Sequence, residues 1–574
     1  MVAGSEAGTG AWDHAVDVVV VGSGAGALTT AIAAHDAGAS VLVLEKCDRY
    51  GGSSAMSGGS LWIPNNHLMT EAGVNDTPED ALLYLQRATA GTSSEERLRT
   101  YVDTAPRMLQ WMVERTRLAL LPLPTYADYY PGLPGARPGA RSVEVDYFDG
   151  RLLGDELRRL REPSVQTLIF GRVAMTARDA RTMLVRSRGW VRLLVRLMLG
   201  YALDVTGRLQ SKRDRNLTMG NALVGMLRLS MLDRGIPLWL ESPTRRLIVE
   251  GGRVVGVEAE RAGRRMRIRA QRGVVLATGG FEGSQALRER WLPQPTRAEW
   301  SAAHKGNTGD AIAMATEVGA GLDLMDAAWW GPTTLVPGEE HARMLVIEKG
   351  LPGSILVDKG GERFVNEAAP YVDVVDAMYK RNAPATPCVP AYLVFDAAYR
   401  RRYPFGPILQ STQQPDWVLP RRLTDGYLRK ADTLAGLAAA LGIDPAGLEA
   451  TVRRVGEFAR SGQDLDFHRG ENIFDRYYGD LKVKPNACLA PLETPPFYGI
   501  EAFPGELGTK GGLRTDARAR VLNEAGEPIP GLWATGNCTA SVMGRTYPGA
   551  GSTLGPAMTF GWIAAHDASR EPAA

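Results

Sequence analysis

Cysteine is scarce in this chain: four residues in 574, at Cys47, Cys388, Cys488 and Cys538. None falls in a CxxC pair, so zinc and iron–sulfur centres have no ligand pattern to build on and no metal is expected. So few thiols fit a reducing cytoplasm better than a disulfide framework. Histidine is nearly as rare, seven in all. Excess charge is missing too: 66 Lys plus Arg face 64 Asp plus Glu, a net +2. A nucleic-acid partner, which calls for a basic surplus, is not expected. No run of about 18 apolar residues is free of charges or glycines, so no membrane-spanning helix is expected. The opening MVAGSEAGTG lacks the basic-then-apolar pattern of a signal peptide. The expected location is cytoplasmic. What is present is an ordinary soluble composition, 44% hydrophobic and 23% charged, with length for two or three domains.

Residues 17–46 read DVVVVGSGAGALTTAIAAHDAGASVLVLEK. Asp17 to Val21 is a β-branched run of the kind a doubly covered strand requires. Gly22-Ser23-Gly24-Ala25-Gly26-Ala27 follows at once, then a small-residue helix to about Ala37, closed by Gly38. Ser40 to Leu44 is a second apolar strand, ending at Glu45. Gly22 permits the tight turn, Gly24 lets backbone approach a pyrophosphate, and Ala27 allows close helix–strand packing. Ala25 and Gly26 begin the helix whose amides face the phosphates. Glu45 is placed to accept ribose hydroxyls.

Later segments favour FAD over NAD. Lys46 is followed by a loop of small residues with Gly52, Ser53, Ser54, Ser57, Gly58 and Gly59, able to lie against a flavin ring. Two short apolar strands end in Thr-Gly: one at Ala277-Thr278-Gly279, the other, GLWATGN, at Gly536-Asn537. Residues 551–565, with Ser552 and Leu554, look like a helix whose first amides face the flavin pyrimidine end. The paired signatures resemble those of flavoproteins with two dinucleotide-binding segments. No histidine lies in 51–60, so the FAD is expected to be non-covalent.

With these residues the chain resembles the 3-ketosteroid Δ1-dehydrogenases, within the fumarate reductase/succinate dehydrogenase flavoprotein group, from about residue 15 to 568. The resemblance is carried by the block Gly544–Gly561, by Asp128-Tyr129-Tyr130-Pro131, by Asn307-Thr308-Gly309-Asp310, by Arg363–Glu367 with Tyr371 close behind, and by Leu507–Gly512. It implies an α/β fold: a two-dinucleotide-binding, Rossmann-like FAD domain with an inserted α+β catalytic domain. It implies 1,2-desaturation of a 3-ketosteroid, by proton abstraction at C2 and hydride transfer from C1 to flavin N5, in steroid degradation. By the same resemblance Tyr547 and the Gly551 amide polarise the ketone, Tyr371 is the base and Tyr129 assists it, with Tyr126 and Tyr130 as neighbouring alternatives. Trp329, Trp330, Leu356 and Phe364 are candidate walls of the apolar pocket. A steroid and a quinone-like electron acceptor are the implied partners.

The expected domain division is 12–330 and 505–574 for FAD, with 331–504 as the catalytic domain and an extra helical insert at 150–215. An amphipathic helical stretch is expected near Leu434–Ala459. Within the insert Arg188, Arg192 and Arg196 share a helix face, while Trp190, Leu193, Leu194, Leu197 and Met198 fall mostly on the others. A basic helix of this kind can lie in a lipid interface, giving an expected peripheral membrane contact through 186–215, on the inner face of the cell membrane. Two rival activities share the fold: desaturation at the steroid C4–C5 bond, and fumarate reduction. A flavin-bearing protein without turnover is the non-enzymatic alternative.

Overall fold

The computed structural model describes residues 11–184 and 187–573. The framework begins with β1 (His14–Val21), α1 (Ala25–Asp36), β2 (Val41–Leu44) and α2 (Trp190–Leu203). It continues with β3 (Leu238–Trp239), β4 (Thr244–Glu250), β5 (Arg253–Arg261) and β6 (Arg264–Leu276). A second group holds β7 (Ala328–Thr334), β8 (Arg343–Met344), β9 (Ser354–Val357), α3 (Tyr371–Arg381), β10 (Ala391–Asp396), β11 (Arg429–Ala431) and β12 (Phe497–Thr509). The last elements are β13 (Pro528–Ala534) and α4 (Leu554–Ala568).

The first sheet has eight strands, ordered β3-β2-β1-β6-β5-β4, with β13 joining β6 and strand Arg520–Leu522 joining β13. Strands β3, β2, β1, β6 and β13 are mutually parallel where they pair. Their burial explains the β-branched sequence: Val18 and Val20 enter one core, Val19 and Val21 the other, the period-two alternation of a strand covered on both faces. α1 is built of small residues because it packs tightly on α4. The Thr30 hydroxyl donates to the carbonyls of Gly26 (2.8 Å) and Gly561 (3.1 Å), stitching the two helices together.

The second sheet is antiparallel, ordered β8-β7-β12-β10-β9, with β11 also on β12. The boundaries read from sequence, 330/331 and 504/505, fall inside β7 and β12, which pair with each other at Gly331 and Gly505. The stretch near Leu434–Ala459 forms two helices, Leu434–Leu441 and Pro445–Ser461. Gly442, at φ 69°, stops the first, and Asp444 caps the second by accepting from the amides of Ala446 and Gly447. No helix among the described residues is long and apolar enough to cross a membrane. No group of three His, Cys, Asp or Glu among them could hold a metal ion.

Candidate active site

The parallel strands β1, β2, β6 and β13 end on one edge of the first sheet, and the loops after them line a cavity of about 620 Å³. This is where ligands bind in open parallel sheets: outside the carboxyl ends, where no side chain from the sheet blocks the way. The β1–α1 turn depends on Gly22, whose φ is 111° and whose Cβ, if present, would stand 2.3 Å from the Ala277 carbonyl oxygen. Among the residues expected to hold the cofactor, Gly22, Gly24, Ala25, Gly26, Glu45, Lys46, Gly52, Ser53, Ser54, Ser57, Gly58, Gly59, Ala277, Thr278, Gly279, Gly536, Asn537 and Leu554 all line this cavity.

Ser552 does not. It is fully buried, and its hydroxyl donates to the Gly549 carbonyl at 2.7 Å and accepts from the Gly549 amide at 3.1 Å. It shapes the turn that enters α4. The Glu45 carboxylate accepts from the Ser23 hydroxyl and, at 2.9 Å, from the Cys47 amide. The Lys46 ammonium is engaged by Thr308 (2.8 Å) and Asp310. Ser53 accepts from the His304 amide and the Asn307 side chain, both at 3.0 Å. His304 and Asn307 thus join the lining; only Asn307 carried a sequence signal, in its Asn-Thr-Gly-Asp motif. The result is an apolar cleft edged with backbone amides and small hydroxyls, beginning at the N-terminus of α1, where the Ala25 amide donates to Ser54 at 3.1 Å. Such a donor set fits a dinucleotide.

The opposite end of the cavity is aromatic. Tyr371 is the first residue of α3, Tyr129 follows the buried Asp128, and Tyr547 precedes the turn into α4. Their rings touch one another, with centroids 5.1 Å apart for Tyr371–Tyr547, 5.6 Å for Tyr129–Tyr371 and 5.3 Å for Tyr129–Tyr547. The Tyr129 hydroxyl donates to that of Tyr371 at 3.0 Å. Tyr126 lies one step behind, 3.5 Å from Tyr129 and 2.7 Å from the Tyr478 hydroxyl. Tyr130 turns away and donates to Asp373 at 3.0 Å. Of the three neighbouring tyrosines, Tyr129 is therefore the one in contact with Tyr371.

The chain brings these distant segments together with firm backbone links. The Tyr129 amide donates to the Pro548 carbonyl at 2.9 Å, and the Tyr84 hydroxyl donates to the same oxygen at 2.6 Å. Asp128 is held by the indole of Trp62 (2.8 Å) and the guanidinium of Arg141 (2.7 Å). Gly551 has φ 99°, and a Cβ there would meet the Ser60 carbonyl at 2.5 Å. No hydrogen bond from its amide is found among the described residues, and the residue lines the cavity. Burial pushes the phenols of Tyr371 and Tyr129 well above their ordinary pKa, with neighbouring tyrosines adding to the effect, and raises that of Tyr547. The hydroxyl of Tyr129 works the other way on Tyr371, as a donor that favours its anion.

The candidate walls need correction. Trp330, Leu356 and Phe364 do not line this cavity, and Trp329 stands behind it, packing edge-on against Tyr547 at 4.9 Å and donating to Asn537 at 3.1 Å. Leu356 sits in a strand buried on both faces, inside the core of the second sheet. The wall is made instead by Met344–Glu348, Tyr477 and Tyr478, and by Ser164, Gln166, Thr167, Met175, Ala177, Ala180, Arg181 and Leu184 of the insert. Arg181 stacks on Tyr477 at 4.0 Å. Burial raises the pKa of the Glu348 carboxyl.

The sequence profile of the family described as "FAD binding domain" matches residues 17–554. The chain is 44% identical over 567 residues to a 3-oxosteroid 1-dehydrogenase of Mycobacterium tuberculosis, covering 96% of this chain and 97% of that one. It is 41% identical to a 3-oxosteroid 1-dehydrogenase of Mycolicibacterium smegmatis, covering 97% and 98%. In structure it is similar to a 3-ketosteroid Δ1-dehydrogenase from Sterolibacterium denitrificans solved with 1,4-androstadiene-3,17-dione, at TM-score 0.94 and 47% identity, covering 97% of this chain and 99% of that one.

Proposed function

The chain belongs to the 3-oxosteroid 1-dehydrogenase family of FAD-dependent oxidoreductases, and from that premise we propose that it desaturates the C1–C2 bond of a 3-ketosteroid. The observation that carries the reading is the contact of Tyr129, Tyr371 and Tyr547 around one end of the dinucleotide cavity. A C–H bond beside a ketone is acidic only if the ketone oxygen can take up charge as an enolate. The Tyr547 hydroxyl and the Gly551 amide are the donors at that oxygen. Tyr371 accepts the C2 proton, and Tyr129 donates to the Tyr371 oxygen so that the phenolate is held while it waits. When bound, FAD supplies a hydride acceptor for C1. The cofactor is non-covalent, for its loop at 51–60 offers no histidine.

The base and the carbonyl donors come from different parts of the chain: Tyr371 from 331–504, Tyr547 and Gly551 from 505–574, with Tyr129 from 12–330 assisting the base. On this reading the steroid binds where the covering body meets the cofactor body. A dicarboxylate substrate would need cations around it. Among the described residues the hydroxyl and ring contacts of the three phenols are made by other tyrosines, Phe474, Trp329 and Thr553, none of them a cation. The test is anaerobic mixing with androst-4-ene-3,17-dione. Flavin absorbance should bleach, and NMR of the product should place the new double bond at C1–C2. A double bond elsewhere, or bleaching reversed by fumarate but not by a 1,4-dien-3-one, ends the reading.

The insert supports peripheral contact with a lipid surface. The span 186–215 begins at a residue outside the described set. In α2 the residues read as apolar face, Trp190, Leu193, Leu194, Leu197 and Met198, are half-buried or buried. The outward row is Val191, Val195, Leu199 and Leu203, the last 75% exposed, beside exposed Arg192 and Arg196. Spacing by four puts that apolar row on one face, which an anionic lipid surface would cover. The enzyme thus works at the inner face of the cell membrane in steroid degradation, where a quinone-like acceptor is also dissolved. Replacing the row by serine should abolish flotation with anionic liposomes; undiminished flotation removes the idea.

A further inference from the structure

Lys510 follows directly on β12 and is fully buried. Its backbone is clamped on both sides: the amide donates to the Ala327 carbonyl at 2.9 Å, and its carbonyl accepts from the Ser541 amide at 3.0 Å. The ammonium donates to the carbonyl of Thr546, the peptide group directly before Tyr547. The same ammonium stands 4.3 Å from the centre of the Trp329 ring. Trp329 packs edge-on against the Tyr547 ring at 4.9 Å, and its indole N–H is tied to Asn537 at 3.1 Å. One buried cation therefore holds the backbone before the phenol and the ring beside it. One residue beyond the phenol the chain is already fixed, through the Pro548 carbonyl and its two donors.

Burying an ammonium is costly, and a methionine would fill a similar volume without that cost. Among the described residues Lys510 makes no ion pair. The carboxylates of Asp373 and Asp376, both on α3, attract it from beyond contact, Arg545 opposes them, and Asp373 is already occupied by the Tyr130 hydroxyl. Arg545 is itself paired with Asp326, and Arg97 shares with Lys510 a small cavity of about 20 Å³. What distinguishes a lysine here is thus its grip on Thr546 and Trp329.

We propose that Lys510 is a positioning residue for Tyr547, holding the phenol where it donates to the ketone oxygen; the proposal rests on the reading of Tyr547 as that donor. Burial, only partly offset by the two distant carboxylates, lowers the Lys510 pKa to about 7. Its protonated fraction therefore falls as pH rises through neutrality. A neutral amine can still donate one hydrogen to Thr546 but gives up the cation–ring attraction.

The experiment measures kcat and KM of the holoenzyme with androst-4-ene-3,17-dione for Lys510→Met, Lys510→Arg, Tyr547→Phe and the Met/Phe double variant, with flavin content checked in each. At a pH of about 6, Lys510→Met should lower kcat roughly tenfold with KM within about twofold, and Lys510→Arg should restore most of it. At a pH of about 9, where the lysine is neutral, the deficit of Lys510→Met should shrink to about threefold or less. In the Tyr547→Phe background Lys510→Met should cost less than about twofold, because the group it positions is gone. A deficit equal at both pH values, or undiminished in that background, overturns the proposal. If Lys510→Met does not retain flavin, Lys510→Gln against Lys510→Arg decides by the same pH comparison. Wild-type kcat in Tyr547→Phe would instead bring down the reading of Tyr547 itself, and this proposal with it.

Discussion

Two buried polar clusters lie close together in the chain and could hardly be treated more differently. Around Glu367 the carboxylates are paired with guanidinium groups. Arg363 donates to Glu367 at 2.8 and 2.6 Å and to Asp464 at 3.2 and 2.9 Å, and Arg469 donates to Glu367 at 3.0 Å and to the carbonyls of Ser354 and Leu351. Burial alone would raise the Glu367 pKa, but Arg363 and Arg469 hold it below its ordinary value. Four residues on, Tyr371 sits among phenols, where among the described residues its hydroxyl accepts one donated hydrogen, from Tyr129, and burial drives its pKa far up. The first cluster is closed and structural. The second is buried and keeps its phenols neutral. The two are joined: Lys349 donates to the carbonyls of Glu367 (2.9 Å) and Ala369 (2.7 Å), so the closed network fixes the segment that delivers Tyr371.

Substitutions can break that contrast. The largest effect is expected from Tyr371→Phe: kcat falls by about 10³–10⁴, while the holoprotein's thermal midpoint stays within ~2 °C. Because the phenol's pKa is raised, its anion is a minor species near neutrality, so wild-type kcat/KM should climb through the alkaline range. That limb should vanish from the residual activity of the Phe variant.

Next comes Glu367→Ala, which leaves two buried guanidinium groups with a partner missing and should cost about 3–5 kcal/mol in denaturant unfolding. The sign of its pH dependence follows from the lowered pKa. The wild-type contribution is complete above 4.5, the unperturbed value, and is lost as pH falls below it through the folded pKa. The gap between wild type and variant should therefore close in acid. A variant that keeps its stability but loses activity would mean the cluster is not structural at all.

The smallest effect sharpens the boundary of the phenol cluster. Tyr478→Phe removes the outermost hydroxyl of the line that runs through Tyr126 and Tyr129 to Tyr371. It should lower kcat by about fivefold or less, the worth of one ordinary hydrogen bond.

The sequence disclosed what is local. The β1–α1–β2 unit could be read because strand period, glycine placement and helix composition all act within a few residues, and the two Thr-Gly strand ends could be read for the same reason. Tyr371, Tyr547 and Tyr129 came from a resemblance, since nothing in their spacing says that three rings separated by hundreds of residues meet. Trp330, Leu356 and Phe364 were misread because an apolar side chain in a core and one in a pocket wall look alike until the partner surface is known. Ser552 stood in a motif dense with backbone donors, but its hydroxyl was taken up within its own turn. Tyr477 and Tyr478 carried no sign, and Lys510 stood in the Leu507–Gly512 motif without being singled out, for each acquires its neighbours only through tertiary contact.

The segment between Ser164 and Leu184 faces inward on the cavity, while the helix after it turns an oily row outward. On the reading proposed above, one stretch of chain would serve both the far end of the chamber and the contact with lipid. A change of length there, made to admit a different substrate, would then also move the outward row.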